Sequence, residues 1–183
     1  MKTLNKLSLI LGAACLIMVA TASTSFGQGR FSIGGNLALP MGDFSNFYSV
    51  GFGVSGAYEG NISDKLNWTA TIGFLSFSGK TVDLGQGSTF SVPSGTMIPI
   101  LGGVKYYVNE MFNGFYVSGQ LGFTNSSTNY GGVTYSSTDF SFAPGVGYHL
   151  ANIDIGATYN VISESGGSSD YLGARVAYVF GGK

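Results

Sequence analysis

The stretch that decides the fold is Ile153-Asp154-Ile155-Gly156-Ala157-Thr158-Tyr159-Asn160-Val161. Its odd positions are apolar, and its even positions are small, polar or charged. A period of two is the mark of a strand with one apolar face. The one charge, Asp154, sits with the small residues and not with the large ones. The closing stretch, Leu172 to Phe180, repeats the arrangement: Leu172, Ala174, Val176, Tyr178 and Phe180 alternate with Gly173, Arg175, Ala177 and Val179. Arg175 again takes the face opposite the large apolar side chains.

Working outward from this pair, six further segments alternate. Phe31 to Leu39, Val50 to Glu59, Leu66 to Phe74, Ile98 to Val108, Phe115 to Phe123 and Phe140 to His149 bring the total to eight strands. The fourth, with Met97, Leu101 and Tyr107 on its small-residue face, alternates least cleanly. Connections after the second, fourth and sixth strands are short, around 61–65, 109–113 and 151–152. Those after the first, third, fifth and seventh are long, covering 40–49, 78–95, 125–138 and 163–170. An up-and-down meander puts all the short turns at one end, with both chain termini, and all the long connections at the other. Membrane β-barrels show that asymmetry and an even strand number. Strands of roughly 10 residues, rising ~3.3 Å each and tilted ~40°, span about 25 Å, the height of the apolar band such barrels carry.

Charge placement separates a membrane barrel from a soluble one. Outside the N-terminal segment only Glu59, Lys105, Asp154 and Arg175 fall within these strands, and all four share the small-residue face. A soluble barrel puts large apolar residues inside and charges outside. Here the large residues face a solvent that tolerates no charge, since a charge at the bilayer midplane on the lipid face costs roughly 2–4 kcal/mol. Tyr58, Trp68, Tyr106, Tyr148, Tyr178 and Phe180 gather toward the short-turn ends, where an interfacial girdle belongs.

Composition agrees. The 183 residues include 30 glycines and are 9% charged, against about 25% charged in ordinary soluble domains. Mean hydropathy is +0.26, which argues against disorder. A net charge of −1 gives no basic surface for nucleic acid. Glycine has no every-third-residue register, which excludes collagen. Lys2 and Lys6 precede an apolar run from Leu7 to Ala20 and then small residues, the layout of a cleaved secretory signal peptide. Cleavage fits after Ala22 or after Gly27; residues 1–27 are preferred as the signal because Arg30 then opens the first strand, leaving 28–183 as the barrel domain. Cys15 lies in the signal, so the mature chain has no thiol for a disulfide, metal or nucleophile. Gly12, three residues before Cys15, does not fit a lipoprotein signal.

The signal peptide, the segment Ile33-Gly34-Gly35 to Pro40-Met41-Gly42-Asp43-Phe44, and the ending Val176-x-Tyr178-x-Phe180 carry a resemblance to the small outer-membrane β-barrel domain family of Gram-negative bacteria, eight-stranded and OmpA-, OmpX- and OmpW-like. The resemblance spans nearly the whole mature chain. It implies an all-β, eight-stranded, antiparallel up-and-down transmembrane barrel in the outer membrane with both termini periplasmic, in contact with outer-membrane lipid and lipopolysaccharide. It also implies that Val176, Tyr178 and Phe180 form a terminal signal read by the barrel-assembly machinery. Gly181, Gly182 and Lys183 follow the aromatic residue that usually comes last, a departure that bears on this signal and not on the fold.

Candidate site residues are few. Glu59, Lys105, Asp154 and Arg175 sum to zero charge and are expected to face the lumen. One reading makes them an electrostatic plug or gate; the simpler one is structural, because charges in a narrow lumen must pair and an eight-stranded interior is filled by side chains. His149, the single histidine, is expected inward near a short turn, far from the outer leaflet where a lipid A enzyme would work, and no serine and carboxylate accompany it. Gly51-x-Gly53-x-x-Gly56 matches a dinucleotide fingerprint formally but lies within a strand with no helix after it. Its glycines are expected to make room in the lumen. The long connections carry Asp43, Lys80, Asp83, Asp139, Glu164 and Asp170 without calcium-loop spacing, so no metal and no cofactor is expected. The expected function is a non-enzymatic, monomeric integral outer-membrane protein, structural or surface-interacting through its outer loops. A small channel or transporter for small polar or hydrophobic solutes is the alternative, ahead of a lipid A-modifying enzyme or a secreted soluble barrel.

Overall fold

The computed structural model describes residues 29–83, 89–110, 112–164 and 166–181. The expected signal peptide, with Cys15, lies outside the described residues. Ten strands and one short helix follow in the order β1 (Arg30–Met41), α1 (Phe44–Phe47), β2 (Tyr48–Ser63), β3 (Leu66–Gly79), β4 (Thr81–Asp83), β5 (Thr89–Ser91), β6 (Gly95–Tyr107), β7 (Gly114–Tyr130), β8 (Val133–Leu150), β9 (Ile153–Glu164) and β10 (Gly167–Phe180). Eight of them close an antiparallel up-and-down barrel in the order β1-β10-β9-β8-β7-β6-β3-β2. Closure is made by β1, where Leu37 lies opposite Phe52 of β2 on one side and Ala174 of β10 on the other. A closed ladder leaves no barrel edge strand and pairs the wall's backbone groups within the sheet, with breaks at Pro99 and Pro144, which carry no N–H; a hydrocarbon surround demands such pairing.

The alternation sets which face is which. Phe52, Val54, Ile72, Ile100, Phe115, Leu121, Phe142, Ile155 and Val176 are exposed on the outer wall. At the short-turn end the outward aromatic residues pair across strands, Tyr58 with Trp68 at 4.9 Å and Phe115 with Tyr148 at 4.8 Å between ring centroids. Inward positions hold small residues where a neighbour's ring leans over them. A Cβ on Gly51 would meet the Phe77 ring at 2.6 Å, and one on Gly147 would run into the Tyr116 hydroxyl. Gly51 and Gly53, both from the formal dinucleotide match, thus serve packing inside a strand.

The long connections differ from the sequence expectation. Residues 125–138, expected as a loop, are strand: β7 and β8 run on past the barrel and turn only at Gly131 and Gly132, both with positive φ, the backbone a two-residue hairpin turn requires. The 163–170 connection is likewise mostly strand, tightening to a turn at Gly166. The 78–95 connection carries the β4/β5 ribbon, and the first carries α1. The reason is chemical. Above the barrel both faces of a strand meet water, so Ser, Thr and Asn occupy both parities and no apolar alternation marks the strand. Cross-strand polar contacts hold it instead: Asn125 Nδ2 donates to Thr138 Oγ1 at 2.9 Å and Asn129 Nδ2 to Thr134 Oγ1 at 3.2 Å, contacts of the cross-strand kind that stabilise sheets.

These longer strands also enclose more charge than expected. Arg30, Asp139, Glu164 and Asp170, read as terminus or loop residues, lie within β1, β8, β9 and β10. Asp170 shares the parity of Leu172 and pairs with Met41, so it stands on the outward face at the long-connection rim, where Tyr159 donates to it at 2.7 Å. A rim position explains the tolerance, since the cost of a lipid-face charge falls to about 0–1 kcal/mol near the interface.

Candidate functional site

The interior brings distant polar residues together, and it has four levels. At the short-turn end, β2, β6, β9 and β10 each send one charge inward. Lys105 Nζ lies between two carboxylates, 3.0 Å from Glu59 Oε2 and 2.9 Å from Asp154 Oδ2. Arg175 stands 3.7 Å from Asp154 Oδ1 and spends its guanidinium on Ser55 Oγ at 2.8 Å and Ser32 Oγ at 3.0 Å. Glu59 and Asp154 are 8% and 3% exposed. Their remaining lone pairs are used: Asn67 donates to Glu59 Oε1 at 2.7 Å and the Tyr116 hydroxyl to Asp154 Oδ1 at 2.9 Å. Lys105 also rests 4.1 Å above the Tyr116 ring. A buried charge is sustained only when paired and hydrogen-bonded in this way. All four residues singled out from the sequence therefore meet in one cluster, although they are up to 116 positions apart.

Below the cluster lies a second layer that the sequence did not announce as a unit. Tyr107 and His149 are fully buried. His149 Nε2 reaches the Ala151 carbonyl at 2.9 Å and Nδ1 the Tyr107 hydroxyl at 3.4 Å, a pattern that fits the Nε2–H tautomer. Asp154 Oδ2 is 3.8 Å from Nδ1. The ring thus has a carboxylate beside it, contrary to the sequence expectation, and a tyrosine hydroxyl, while no serine stands among these partners. Phe112 of the β6–β7 turn folds beneath, edge-on to Tyr107 with centroids 5.9 Å apart and with the Arg30 guanidinium 4.1 Å from its ring. Rings and charges are packed against one another at this end.

The middle tier is a cavity of about 130 Å³ with a mixed lining, in which polar side chains stand among Leu37, Leu75, Leu101 and Val146. Gln120 Nε2 donates to Thr71 Oγ1 at 3.0 Å, Ser55 to Asn36 at 3.2 Å and Asn160 Nδ2 to Thr158 Oγ1 at 2.8 Å. These are the small polar residues expected inward, and Arg175 and Lys105 form the floor.

The upper tier corrects the expectation that the inward face is small and polar throughout. Leu75, Phe77, Met97, Ile162 and Tyr171 point inward toward the long-connection end, and α1 inserts Phe44 among them. Phe77 is 1% exposed, with Phe44 at 5.2 Å and Tyr171 at 6.0 Å between centroids. Met97 and Leu101 are what blurred the alternation of the fourth strand. An inward apolar residue in a strand whose outward face is also apolar reads as noise until the opposing plug is seen. Among the described residues no group of three or more His, Cys, Asp or Glu side chains is placed to hold a metal.

Comparison with known proteins follows the same lines. Residues 9–180 match the outer membrane protein beta-barrel domain family. No curated protein matches. Among solved structures the chain is similar to Ail, the attachment invasion locus protein of Yersinia pestis, with 16% identity, 85% of this chain and 99% of that chain covered, and a TM-score of 0.53. A structure of Ail in complex with the heparin analogue sucrose octasulfate gives 14% identity, 85% and 99% coverage, and a TM-score of 0.55. The N-terminal β-barrel domain of Pseudomonas aeruginosa OprF gives 14% identity, 84% and 99% coverage, and a TM-score of 0.52. At such identities the likeness is one of fold.

Proposed function

The chain belongs to the outer membrane protein beta-barrel domain family, which places it in the outer membrane, and from that premise we propose that it is a non-conducting, non-enzymatic barrel that works through its outer face. What supports this reading is the packing of side chains at both ends of the lumen. The Glu59–Lys105–Asp154–Arg175 cluster over Tyr107 and His149 packs one end, and Phe77, Tyr171 and Phe44 pack the other. The two charged pairs thus act as a structural plug and not as a gate.

In this reading both termini and the short turns face the periplasm, and the β7–β8 extension stands outside the cell. The seven residues past the last β8–β9 pair, Val133 to Asp139, have only β7 beside them among the described residues. At ~3.3 Å per residue they project roughly 20 Å. Tyr130, Val133 and Tyr135 are exposed there, and Phe90 of β5 stacks on Tyr130 at 6.2 Å. Exposed aromatic side chains on a projecting sheet support a surface-interaction role. The chain functions as a monomer among outer-membrane lipid and lipopolysaccharide, and Val176, Tyr178 and Phe180 serve its assembly.

Planar-bilayer recording and liposome uptake test the proposal. The expected record is flat at moderate voltage; reproducible conductance steps or solute flux from the purified chain would make it a small channel instead. For the non-enzymatic part, lipid A mass spectra of cells with and without the protein are expected to coincide. A mass change abolished by His149→Ala would restore the enzyme reading.

A further inference from the structure

Above the apolar stopper the long connections enclose a second hollow of about 480 Å³, within the ~300–1,000 Å³ usual for small-molecule sites. Its floor is aromatic: Phe44, Tyr48 and Phe77 pack at 4.9 to 6.3 Å between centroids, and Phe47 stands at the side, 49% exposed. Its walls carry the inward hydroxyl residues Ser126 and Thr128 of β7 and Ser169 of β10, and Thr96 and Ser168 border it from the opposite parity. These hydroxyls are poorly occupied. Tyr48 and Thr128 meet only at 3.4 Å, Thr96 reaches the Ser127 carbonyl only at 3.4 Å, and Ser126 Oγ is buried without a hydrogen-bond partner. Two carboxylate residues, Asp43 and Glu164, complete the lining, and among the described residues neither lysine nor arginine contributes to it. Lys80, beside α1, gives its ammonium to the Ser45 carbonyl at 2.6 Å.

We propose that this vestibule is a binding site for an uncharged saccharide of one to three rings. The proposal rests on the reading that the long connections lie outside the cell. An apolar ring face sits against Phe47 and Tyr48, the rings of this hollow that are open to a ligand, while vicinal hydroxyls donate to carboxylates and exchange hydrogen bonds with wall hydroxyls that lack good partners of their own. A buried hydroxyl without a partner is a group that gains from a ligand hydroxyl. The electrostatics exclude the opposite class: two carboxylates with no cation in the lining repel sulfated or phosphorylated sugars, so this vestibule is not built for the polyanion seen with Ail. The saccharide can be free or part of the cell's own surface polysaccharide; the shared chemistry is the neutral pyranose ring.

The test uses the purified chain in phospholipid nanodiscs free of lipopolysaccharide, probed by saturation-transfer NMR with maltotriose, chitotriose, sucrose octasulfate and trilysine. Nanodiscs expose both barrel ends, so binding is read independently of orientation, and bilayer conductance remains a separate measurement. The expected result is transfer to ring protons of a neutral trisaccharide and none to the octasulfate. Phe47→Ala should weaken binding about fivefold, and Glu164→Gln about tenfold or more. Heat-modifiable migration checks that each variant is folded. Competition by lipopolysaccharide bearing its polysaccharide, but not by the truncated form, assigns the ligand to the cell's own surface; equal silence of both assigns it to a free saccharide. No transfer to either neutral trisaccharide, equal binding by both folded variants, or binding of only the octasulfate or only trilysine overturns the proposal.

Discussion

The two ends of the lumen are packed by opposite chemistry. At the short-turn end Lys105 sits between Glu59 and Asp154, with Asn67 and Tyr116 completing the carboxylates' hydrogen bonds. At the long-connection end Phe77, Leu75, Met97, Ile162 and Tyr171 meet Phe44, and no ion pair takes part. The charged closure is directional and built wholly from strand residues, so its geometry is fixed by the barrel register. The apolar closure is non-directional and borrows α1 from a connection, so it depends on how that connection seats. The difference teaches that filling an eight-stranded interior does not dictate which side chains do it; what each end faces decides.

The sharpest way to break the comparison is Lys105→Met. It leaves Glu59 and Asp154 with Arg175, at 3.7 Å from Asp154, and Arg30, opposite Glu59 in the β1–β2 ladder, as the cations nearby. Removing one partner of a buried pair costs about 3–5 kcal/mol. Urea unfolding in lipid vesicles is expected to show that loss, and adding Glu59→Gln to the variant should recover part of it. Phe77→Ala attacks the other end. Its side chain is 1% exposed, and truncation of a buried Phe costs about 3 kcal/mol or more, here toward the lower limit because the vestibule above admits water to the gap. The two closures act in series, so neither single variant is expected to conduct. Current steps are expected only from the Lys105→Met/Phe77→Ala double variant; steps from either single variant would show that one closure alone seals the barrel.

The same contrast explains what could be read from the chain beforehand. Glu59, Lys105, Asp154 and Arg175 stand out because a charge inside an alternating apolar strand is rare, and parity alone assigns all four to one face. Met97 and Leu101 do not stand out, since an apolar residue gains no mark from facing inward. Phe44 reaches the plug from a helix of four residues, too short for any periodic signal. Residues 125–138 were legible only as polar chain: Ser126, Ser127, Thr128 and Ser136, Ser137, Thr138 fill both parities, and strand pairing there follows from continuity with the barrel ladder below. What alternation encodes is the solvent on the two faces, and where the faces do not differ it is silent.

That silence makes the β7–β8 extension the next place to test. Its stability rests on contacts such as Asn125 Nδ2 to Thr138 Oγ1 and to the Ser137 carbonyl at 3.1 Å. Asn125→Ala is expected to cost about 0.5–1 kcal/mol locally, without moving the urea midpoint of the whole barrel. Limited proteolysis near Gly131 should quicken, and hydrogen exchange should rise from Asn125 upward while staying slow below Phe123. A uniform rise through β7 would mean that the extension and the wall unfold as one unit.

The smallest effect belongs to the outward rim, where Asp170 is the exception to the rule that strand charges face the lumen. Tyr159 donates to Asp170 Oδ2 across the β9–β10 ladder, toward the long-connection end of the wall. Tyr159→Phe removes that donor and leaves the ring in the outer wall, so the barrel itself should be nearly unaffected. The position of the carboxylate relative to the lipid should decide the sign. With Asp170 in the headgroup layer, water replaces the phenol and the unfolding midpoint moves within error. With Asp170 at the edge of the hydrocarbon, the uncompensated charge lowers the midpoint, and Tyr159→Phe/Asp170→Asn restores it. The rim position predicts the first outcome in thin bilayers and the second in thicker ones, because added thickness carries the hydrocarbon edge up past Leu172 toward Asp170. Measuring the pair of variants in vesicles of two acyl-chain lengths therefore locates the upper boundary of the membrane on this barrel.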